Sequence, residues 1–327
     1  MDGQAGFYCD VSAAEGLQCV TLGYRDSSNP ADDIEVGVTP TMGSNLYRLQ
    51  FGGHKIIDSN LKQLAQRGFP GTPVLFPTPN RVRNSRYTFQ GKTHLLVKRQ
   101  NTIKLHGLVL DEPWEFDAPE AGVSSASLTT WIGIGEGSEL FEAFPFPSRL
   151  VMMYTLTRAG IRMEYRVENL GDGPLPFGFG LHPFFVRLSG DEDTLVTVPA
   201  NQVMDATADL LPTGRLVDVS GTIFDLRTET PVGATDMDHV FTSMIPGKSA
   251  TIRYRTLGIK MSLRATEDFS HMVFYSPKGS PIFCLENQTC STDAHNLNDL
   301  GFIKEACLRI VEPGQSSSGV VEYLLER

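Results

Sequence analysis

The 327-residue sequence lacks several features that would assign it to a well-defined class of protein. It has no run of five basic residues, and 28 Lys and Arg side chains face 38 Asp and Glu, giving a formal charge of −10. Nucleic acid or an anionic membrane surface requires clustered cations, so neither is expected as a partner. The sequence also lacks about eighteen uninterrupted apolar residues, so no membrane-spanning helix is expected.

Cysteine is scarce, and no Cys-x-x-Cys pair occurs. The five cysteines are Cys9, Cys19, Cys284, Cys290 and Cys307. An odd number in a long chain favours reduced thiols, with a Cys9–Cys19 disulfide as the weaker alternative. The first residues carry neither the basic segment nor the apolar core of a secretory signal, so a cytoplasmic location is expected.

Motifs for nucleotide binding, serine hydrolysis and zinc binding are missing as well. Gly133, Gly135 and Gly137 lack the strand–helix context of a nucleotide-binding loop. No Gly-x-Ser-x-Gly nucleophile elbow is present. Several histidines occur, but none has the spacing of a zinc motif: His106, His182, His239, His271 and His295. The sequence therefore predicts no metal and no nucleotide cofactor.

Short alternating runs, broken by Gly, Pro, Asn and Asp, dominate the chain. In residues 162–168 polar and apolar side chains alternate strictly, which is typical of a half-buried strand. The predicted strands are 87–89, 94–98, 151–157, 161–168, 195–198, 251–254, 272–275 and 306–311. One short helix is predicted over 60–67, capped by Asp58 or Ser59 and followed by Gly68. The pattern indicates an all-β sandwich or barrel without a linker.

Two polar side chains stand in apolar, strand-like segments. His182 lies in Gly-Leu-His-Pro-Phe-Phe (residues 180–185), and Glu286 lies in Cys-Leu-Glu-Asn-Gln-Thr (residues 284–289). A polar group among apolar neighbours costs free energy unless it has a partner or a chemical task. Such an acid and base could move one proton onto a substrate and another off it. The alternative for His182 is a buried structural histidine.

Three further segments have both a structural and a functional interpretation. Asn80-Arg81 forms either a solvent-facing turn or a fork of donors for sugar hydroxyls. His106 is either a satisfied histidine at a strand end or a ligand contact, with Gly107 allowing a ligand to approach the backbone. Asp238 lies at a loop-to-strand junction, where a solvated acidic turn is the alternative.

Taken in order, these segments resemble the aldose 1-epimerase (galactose mutarotase) family over about residues 38–323. The matching motifs are Gly43-x-Asn45, Gly71-x-Pro73-Val74-Leu75-Phe76-Pro77-x-Pro79-Asn80-Arg81-Val82, Tyr87-x-Phe89-x-Gly91-Lys92, His106-Gly107-Leu108, Trp114, Gly180-Leu181-His182-Pro183-Phe184-Phe185, Asp238-His239-x-Phe241 and Glu286-Asn287-Gln288-Thr289.

The resemblance implies a single domain over residues 1–327, folded as a large antiparallel β-supersandwich with few short helices. It implies interconversion of the α and β anomers of a free aldose such as galactose or glucose, without a cofactor, by a monomer or homodimer. In this family's pattern His182 is the acid and Glu286 the base. The sugar-binding positions fall on Asn80, Arg81, His106 and Asp238.

Two positions depart from the family's pattern, and three alternatives stay open. Val273 stands where many members have Gln, which removes one possible hydrogen bond to the sugar, and Asn287 stands where many have Pro. One alternative is a mutarotase for hexose 6-phosphates, which needs extra cations near Arg81. The candidates are Arg83, Arg86 and Lys98. The others are a non-catalytic sugar-binding or regulatory protein and a glycosidase, for which Asp238 is the available second carboxylate.

Overall fold

Strands make up most of the regular structure in the computed structural model, which describes residues 5–68, 70–103 and 105–327. The strand Gly160–Asn169 illustrates why they form. Ile161, Met163, Tyr165 and Val167 are buried while the residues between them are partly or fully exposed, so one face of the strand packs and the other is solvated.

The described strands follow one another in chain order. The first are β1 (Gly6–Ala14), β2 (Leu17–Arg25), β3 (Ile34–Thr39), β4 (Asn45–Phe51), β5 (His54–Asp58), β6 (Val74–Leu75), β7 (Arg86–Phe89), β8 (Lys92–Leu95), β9 (Val97–Lys98) and β10 (Asn101–Thr102). The next are β11 (Glu115–Phe116), β12 (Glu120–Ala121), β13 (Ala126–Ile134), β14 (Ser148–Thr157), β15 (Gly160–Asn169), β16 (Leu175–Phe177), β17 (Gly180–Leu181), β18 (Phe184–Val186), β19 (Thr194–Thr197) and β20 (Ala200–Ala206). The last are β21 (Pro212–Asp218), β22 (Thr230–Pro231), β23 (Met237–Met244), β24 (Ala250–Tyr254), β25 (Ile259–Ala265), β26 (His271–Ser276), β27 (Ile282–Gln288), β28 (Arg309–Val311) and β29 (Ser316–Glu326).

Helices in the described residues are few and short: α1 (Leu61–Ala65), α2 (Glu139–Ala143), α3 (Gly190–Asp193), α4 (Ala294–Asp299) and α5 (Ile303–Ala306). None of these helices has both the length and the apolar composition needed to cross a bilayer.

Two large antiparallel sheets organise the molecule. A 10-stranded sheet has the order β11-β13-β14-β15-β29-β25-β24-β19-β22, with β12 beside β13. An 8-stranded sheet has the order β21-β20-β23-β26-β27-β17-β6, with β18 beside β27, and β1 to β5 form a third sheet. The predicted all-β antiparallel fold with few short helices is confirmed. That the whole chain forms one domain stays a prediction.

Aromatic side chains fill the space between the two large sheets. The rings of Phe185 on β18 and Tyr323 on β29 are 5.7 Å apart, and Tyr165 on β15 stacks on Phe179 at 4.2 Å. All four residues are 0–1% exposed. Burying one such side chain contributes about 1.5–3 kcal/mol, so this layer fixes how the sheets face each other.

Strand β27 gives the 8-stranded sheet one apolar and one functional face. Phe283 and Leu285 belong to the main hydrophobic core. Because successive side chains point to opposite faces of a strand, Cys284, Glu286 and Gln288 lie on the other face. The sequence predicted that these three residues could share a face, and Gln288 indeed donates a hydrogen bond to Glu286.

The predicted strands largely overlap observed ones, with two differences. The run 94–98 is divided at Leu96, because β8 ends at Leu95 and β9 begins at Val97. The strand predicted over 306–311 is wrong at its start. Ala306 ends α5, Cys307 has a φ of +48°, and only Arg309–Val311 forms a strand.

The helix predicted over 60–67 is shorter and starts with a different cap. Asp58 is still paired in the β4–β5 ladder, and the Asn60 side chain accepts the hydrogen bond from the Lys62 N–H at 2.9 Å. Asp58 and Ser59 are therefore not the cap. The helix ends at Ala65, and the Gly68 N–H returns to the Gln63 carbonyl at 2.9 Å.

All five cysteines are free thiols, so the alternative of a Cys9–Cys19 disulfide is excluded. In the β1–β2 ladder Cys9 pairs with Leu22 and Cys19 pairs with Ser12.

Candidate active site

A cavity of 360 Å³ opens on the face of the 8-stranded sheet that lies away from the core. Its volume falls in the range of small-molecule sites. All six site residues predicted from the sequence line this cavity: Asn80, Arg81, His106, His182, Asp238 and Glu286. Leu105, Phe184 and Tyr275 complete the lining.

Asn80 and Arg81 are held against the His106 segment by the backbone. The His106 N–H donates to the Asn80 carbonyl at 2.8 Å, and Arg81 forms an antiparallel bridge with Leu105. Asn80 and His106 have φ values of +60° and +66°, a region that non-glycine residues seldom adopt. The two segments support each other in this strained geometry and direct three polar side chains into the cavity.

The protein backbone itself requires a glycine at position 107. Its φ is +77°, and a Cβ at this position would lie 2.2 Å from the Phe76 carbonyl oxygen. The next residue, Leu108, donates its N–H to the same carbonyl at 2.8 Å. The close contact between these two chain segments accounts for the glycine, and the approach of a ligand at Gly107 stays a prediction.

His182 lies between β17 and β18, and its N–H donates to the Pro73 carbonyl at 3.1 Å. Its ring stacks on Phe184 with 4.6 Å between centroids and 11° between planes. The His106 ring meets it edge-on at 4.8 Å. Two rings in contact with the imidazole restrict its rotation and leave its Nε2 atom directed at Glu286.

The central feature of the cavity is the contact between His182 and Glu286. The His182 Nε2 atom is 3.2 Å from Glu286 Oε1, and both side chains are almost completely buried. The other carboxyl oxygen, Oε2, accepts a hydrogen bond from Gln288 Nε2 at 2.9 Å. Glu286 is therefore fixed at both oxygens, one by a histidine and one by an amide.

Burial changes the proton affinities of these groups in opposite directions. It lowers the pKa of His182 from 6.5 to about 3, and raises the pKa of Glu286 well above its ordinary value. Gln288 and Arg81 oppose the rise in the Glu286 pKa, whereas the Asp238 charge adds to it. Burial, together with the charges of His182 and Arg81, also lowers the pKa of His106, so that its ring is neutral.

Arg81 and Asp238 face each other at the more exposed side of the cavity. Arg81 Nη2 lies 3.5 Å from Asp238 Oδ2, and Arg81 Nη1 donates to Asn80 Oδ1 at 3.1 Å. Both charged side chains are 30% exposed. They are thus accessible to a ligand, and they present a donor and an acceptor side by side.

Two aromatic residues of the cavity lining, Tyr275 and Phe184, are not among the six predicted site residues. Tyr275 lies two residues after Val273, the position at which many members of the family have Gln, so both side chains lie on one face of β26. Val273 itself is 1% exposed and is the cross-strand partner of Glu286. Phe184 was visible in the Gly-Leu-His-Pro-Phe-Phe motif, and its stacking on His182 required the fold.

The cations considered for phosphate binding are engaged elsewhere or lie outside the cavity lining. Arg83 Nε is 3.5 Å from Asp293 Oδ2. Lys98 is buried, bonded to the Leu108 carbonyl at 2.6 Å and paired with Asp111. Arg86 is not part of the cavity lining.

Comparison with known proteins agrees with the resemblance. A family model described as aldose 1-epimerase matches residues 36–324. The chain belongs to the aldose 1-epimerase family. The match agrees with the resemblance predicted over about residues 38–323.

Curated relatives of this family member are distant. The uncharacterized protein YihR of Escherichia coli K12 is 28% identical over 230 residues, covering 68% of this chain and 70% of that protein. Bovine galactose mutarotase is 26% identical over 159 residues, covering 47% of this chain and 44% of that protein. The matches span 44% to 59% of the length of the mammalian galactose mutarotases.

Solved structures share the fold of this family member along almost its whole length. A galactose mutarotase-like protein from Clostridium acetobutylicum superposes with a TM-score of 0.84 at 18% identity, covering 98% of this chain and 99% of that one. Galactose 1-epimerase from Lactobacillus acidophilus gives 0.76 at 16% identity, with 99% of each chain covered. The superpositions establish the β-supersandwich fold. Because the sequence identities are low, the activity has to be inferred from the site itself.

Proposed function

We propose that the protein is an aldose 1-epimerase that interconverts the α and β anomers of a free, unphosphorylated aldose such as galactose or glucose. The observation that carries this proposal is the buried contact of 3.2 Å between His182 Nε2 and Glu286 Oε1 in a cavity with Arg81 and Asp238. A site that only binds sugar needs donors and acceptors, but it needs no acid and base in contact.

The reaction explains why an acid and a base should be neighbours. Opening the pyranose ring removes a proton from the C1 hydroxyl and adds one to the ring oxygen. Both oxygens are bonded to the same carbon, so the two groups must act within a few ångströms of each other. Rotation about the C1–C2 bond and closure from the other face then yield the second anomer.

In this proposal Glu286 accepts the hydroxyl proton and His182 donates a proton to the ring oxygen. The pair holds one proton in total. The form with a carboxylate and an imidazolium opens the ring, and opening leaves the proton on Glu286 and a neutral His182. Closure reverses both transfers. Burial favours the neutral form, whereas the Gln288 amide and the Arg81 charge favour the carboxylate, so both forms are accessible in one site.

The remaining lining side chains would hold the sugar. Arg81 and Asp238 offer a donor and an acceptor to neighbouring hydroxyls, and a neutral His106 offers one of each. Each positioned proton transfer accelerates a reaction on the order of 10²–10⁴-fold. Together the two transfers would lower the barrier by about 5–11 kcal/mol if their effects multiply.

Charge in the cavity favours an unphosphorylated sugar. Among the described lining residues Arg81 is the one Lys or Arg, and its charge already faces Asp238. A phosphate would meet this carboxylate and Glu286 without an additional cation. The same pairing with Arg81 supports a binding role for Asp238 over that of a second glycosidase carboxylate.

Polarimetry of fresh α-D-glucose and α-D-galactose tests the proposal. We expect the wild type to speed the approach to equilibrium rotation, and His182→Ala and Glu286→Gln each to lower kcat by about 10² or more. His295→Gln is the matched control, because His295 is buried, touches the Pro176 carbonyl and does not line the cavity. No acceleration by the wild type, or unchanged turnover in both cavity variants, would refute the assignment. Faster turnover of hexose 6-phosphates would instead support the phosphosugar alternative.

A further inference from the structure

A second cavity, of 450 Å³, lies at one end of the space between the two large sheets. Its walls come from the ends of β23, β25 and β27, from the turns that follow β23 and β25, and from α5. It shares no lining residue with the candidate active site. Leu263 and Phe269 give it an apolar wall.

Asn287 supplies a buried polar group to this cavity. It directly follows Glu286 on β27, so its side chain points to the opposite face of the sheet, in line with the core residues Phe283 and Leu285. Asn287 is 4% exposed, and within the described part of the chain its Oδ1 atom has no hydrogen-bond partner. A buried amide oxygen without a partner carries a free-energy cost that a ligand could remove.

The amide can serve either kind of ligand atom. Half a turn about its terminal bond exchanges the positions of Oδ1 and Nδ2, so that Asn287 presents an acceptor or a donor to the cavity. A hydroxyl group, which both donates and accepts, matches this property.

The rim of the cavity is positively charged in a chain whose formal charge is −10. Lys248, in the turn after β23, and Lys304, on α5, both line it and are exposed. In the residues that the structure covers, neither lysine forms an ion pair, although the carboxylate of Glu267 lies on the same rim. The rim thus carries two lysine charges, from separate elements, and one carboxylate charge. This excess of positive charge favours an anionic ligand.

We propose that this cavity binds a small hydroxylated carboxylate, such as a hydroxy acid or a sugar acid. The carboxylate lies between Lys248 and Lys304, a hydroxyl meets the Asn287 amide, and the carbon skeleton packs on Phe269 and Leu263. The assignment is independent of the reaction in the first cavity, since the two cavities share no lining residue.

Isothermal titration calorimetry of the full chain with sodium D-gluconate tests the proposal. We expect saturable binding that is weakened about tenfold or more in Asn287→Leu, which loses the amide, and in Lys304→Glu, which reverses a rim charge. Lys62→Glu is the matched control for net charge, because Lys62 is exposed on α1 and is not part of the lining, and it should bind as the wild type does. His182→Ala and Glu286→Gln should also retain binding.

Three results would overturn the proposal. The first is no binding to the wild type. The second is binding that survives Asn287→Leu and disappears in His182→Ala, which would locate gluconate in the first cavity. The third is equal binding of inorganic phosphate with the same dependence on Lys304 and none on Asn287, which would reduce the site to a cationic patch. The midpoint of thermal unfolding of unliganded Asn287→Leu serves as the control for folding. A midpoint at or above that of the wild type would show that the variant is folded and that its loss of binding has another cause.

Discussion

Gln288 offers the most direct test of how Glu286 is kept reactive. Its Nε2 atom donates to Glu286 Oε2 at 2.9 Å, and the side chain is completely buried. It does not line the candidate active site, so a substrate would not touch it. We therefore treat Gln288 as a positioning residue that acts through Glu286.

Gln288→Met removes the donor and keeps a side chain of similar size. A hydrogen bond to a charged group contributes about 1.5–3 kcal/mol, which corresponds to about 1–2 pKa units for the accepting carboxyl group. The pKa of Glu286, already raised by burial, should rise further by that amount. Because ring opening requires the carboxylate, kcat at neutral pH should fall about 10–100-fold, while KM changes little.

The pH dependence of kcat separates this effect from general damage. Burial disfavours both adding a second proton to the His182–Glu286 pair and removing its last one, because each step leaves a net charge. The wild-type profile should therefore be broad, with its acidic limb below the ordinary histidine range and its basic limb above the ordinary glutamate range. In Gln288→Met the basic limb should move about 1–2 units higher, since the last proton becomes harder to remove.

A matched control exists elsewhere in the core. Asn169 is a buried amide that donates to the Gly173 and Val311 carbonyls, and Asn169→Leu should lower stability without moving either limb. If Gln288→Met keeps the wild-type kcat and the wild-type basic limb, Glu286 is not the base and the reasoning fails.

Two further predictions concern Val273, which lies opposite Glu286, and the buried His295. Val273→Gln places an amide opposite Glu286 in the β26–β27 ladder. The basic limb of the pH profile of kcat, measured by polarimetry, should therefore move to lower pH. An unchanged limb would mean that the new amide does not reach the carboxyl group. Burial lowers the pKa of His295 to about 4, so the unfolded state binds a proton that the folded state refuses as pH falls from about 6.5 to 4. His295 thus lowers the free energy of unfolding by about 2 kcal/mol at pH 5 relative to pH 7. In urea unfolding, His295→Gln should therefore lose about 2 kcal/mol less stability than the wild type between pH 7 and pH 5. An equal loss in both proteins would contradict the lowered pKa of His295.

Local patterns in the sequence predicted several of the strands and supplied the candidate site residues. Strict alternation over residues 162–168 predicted a half-buried strand, because side-chain direction in a strand has a period of two. The same rule placed Cys284, Glu286 and Gln288 on one face. It failed at residues 306–311, where a positive φ at Cys307 ends a helical turn that no apolar pattern signals.

The sequence by itself determined the strand-rich character, the short list of polar residues and the family resemblance. The first two rest on side chains close together in the chain, and the third rests on the order of short motifs along it. The tertiary structure alone decided that His182 and Glu286 are in contact, that Gly107 serves the Phe76 carbonyl, and that Asn287 faces a separate cavity. These depend on the order of strands in two sheets and on which groups lose contact with water. Both result from the packing of the whole chain, so no local pattern encodes them.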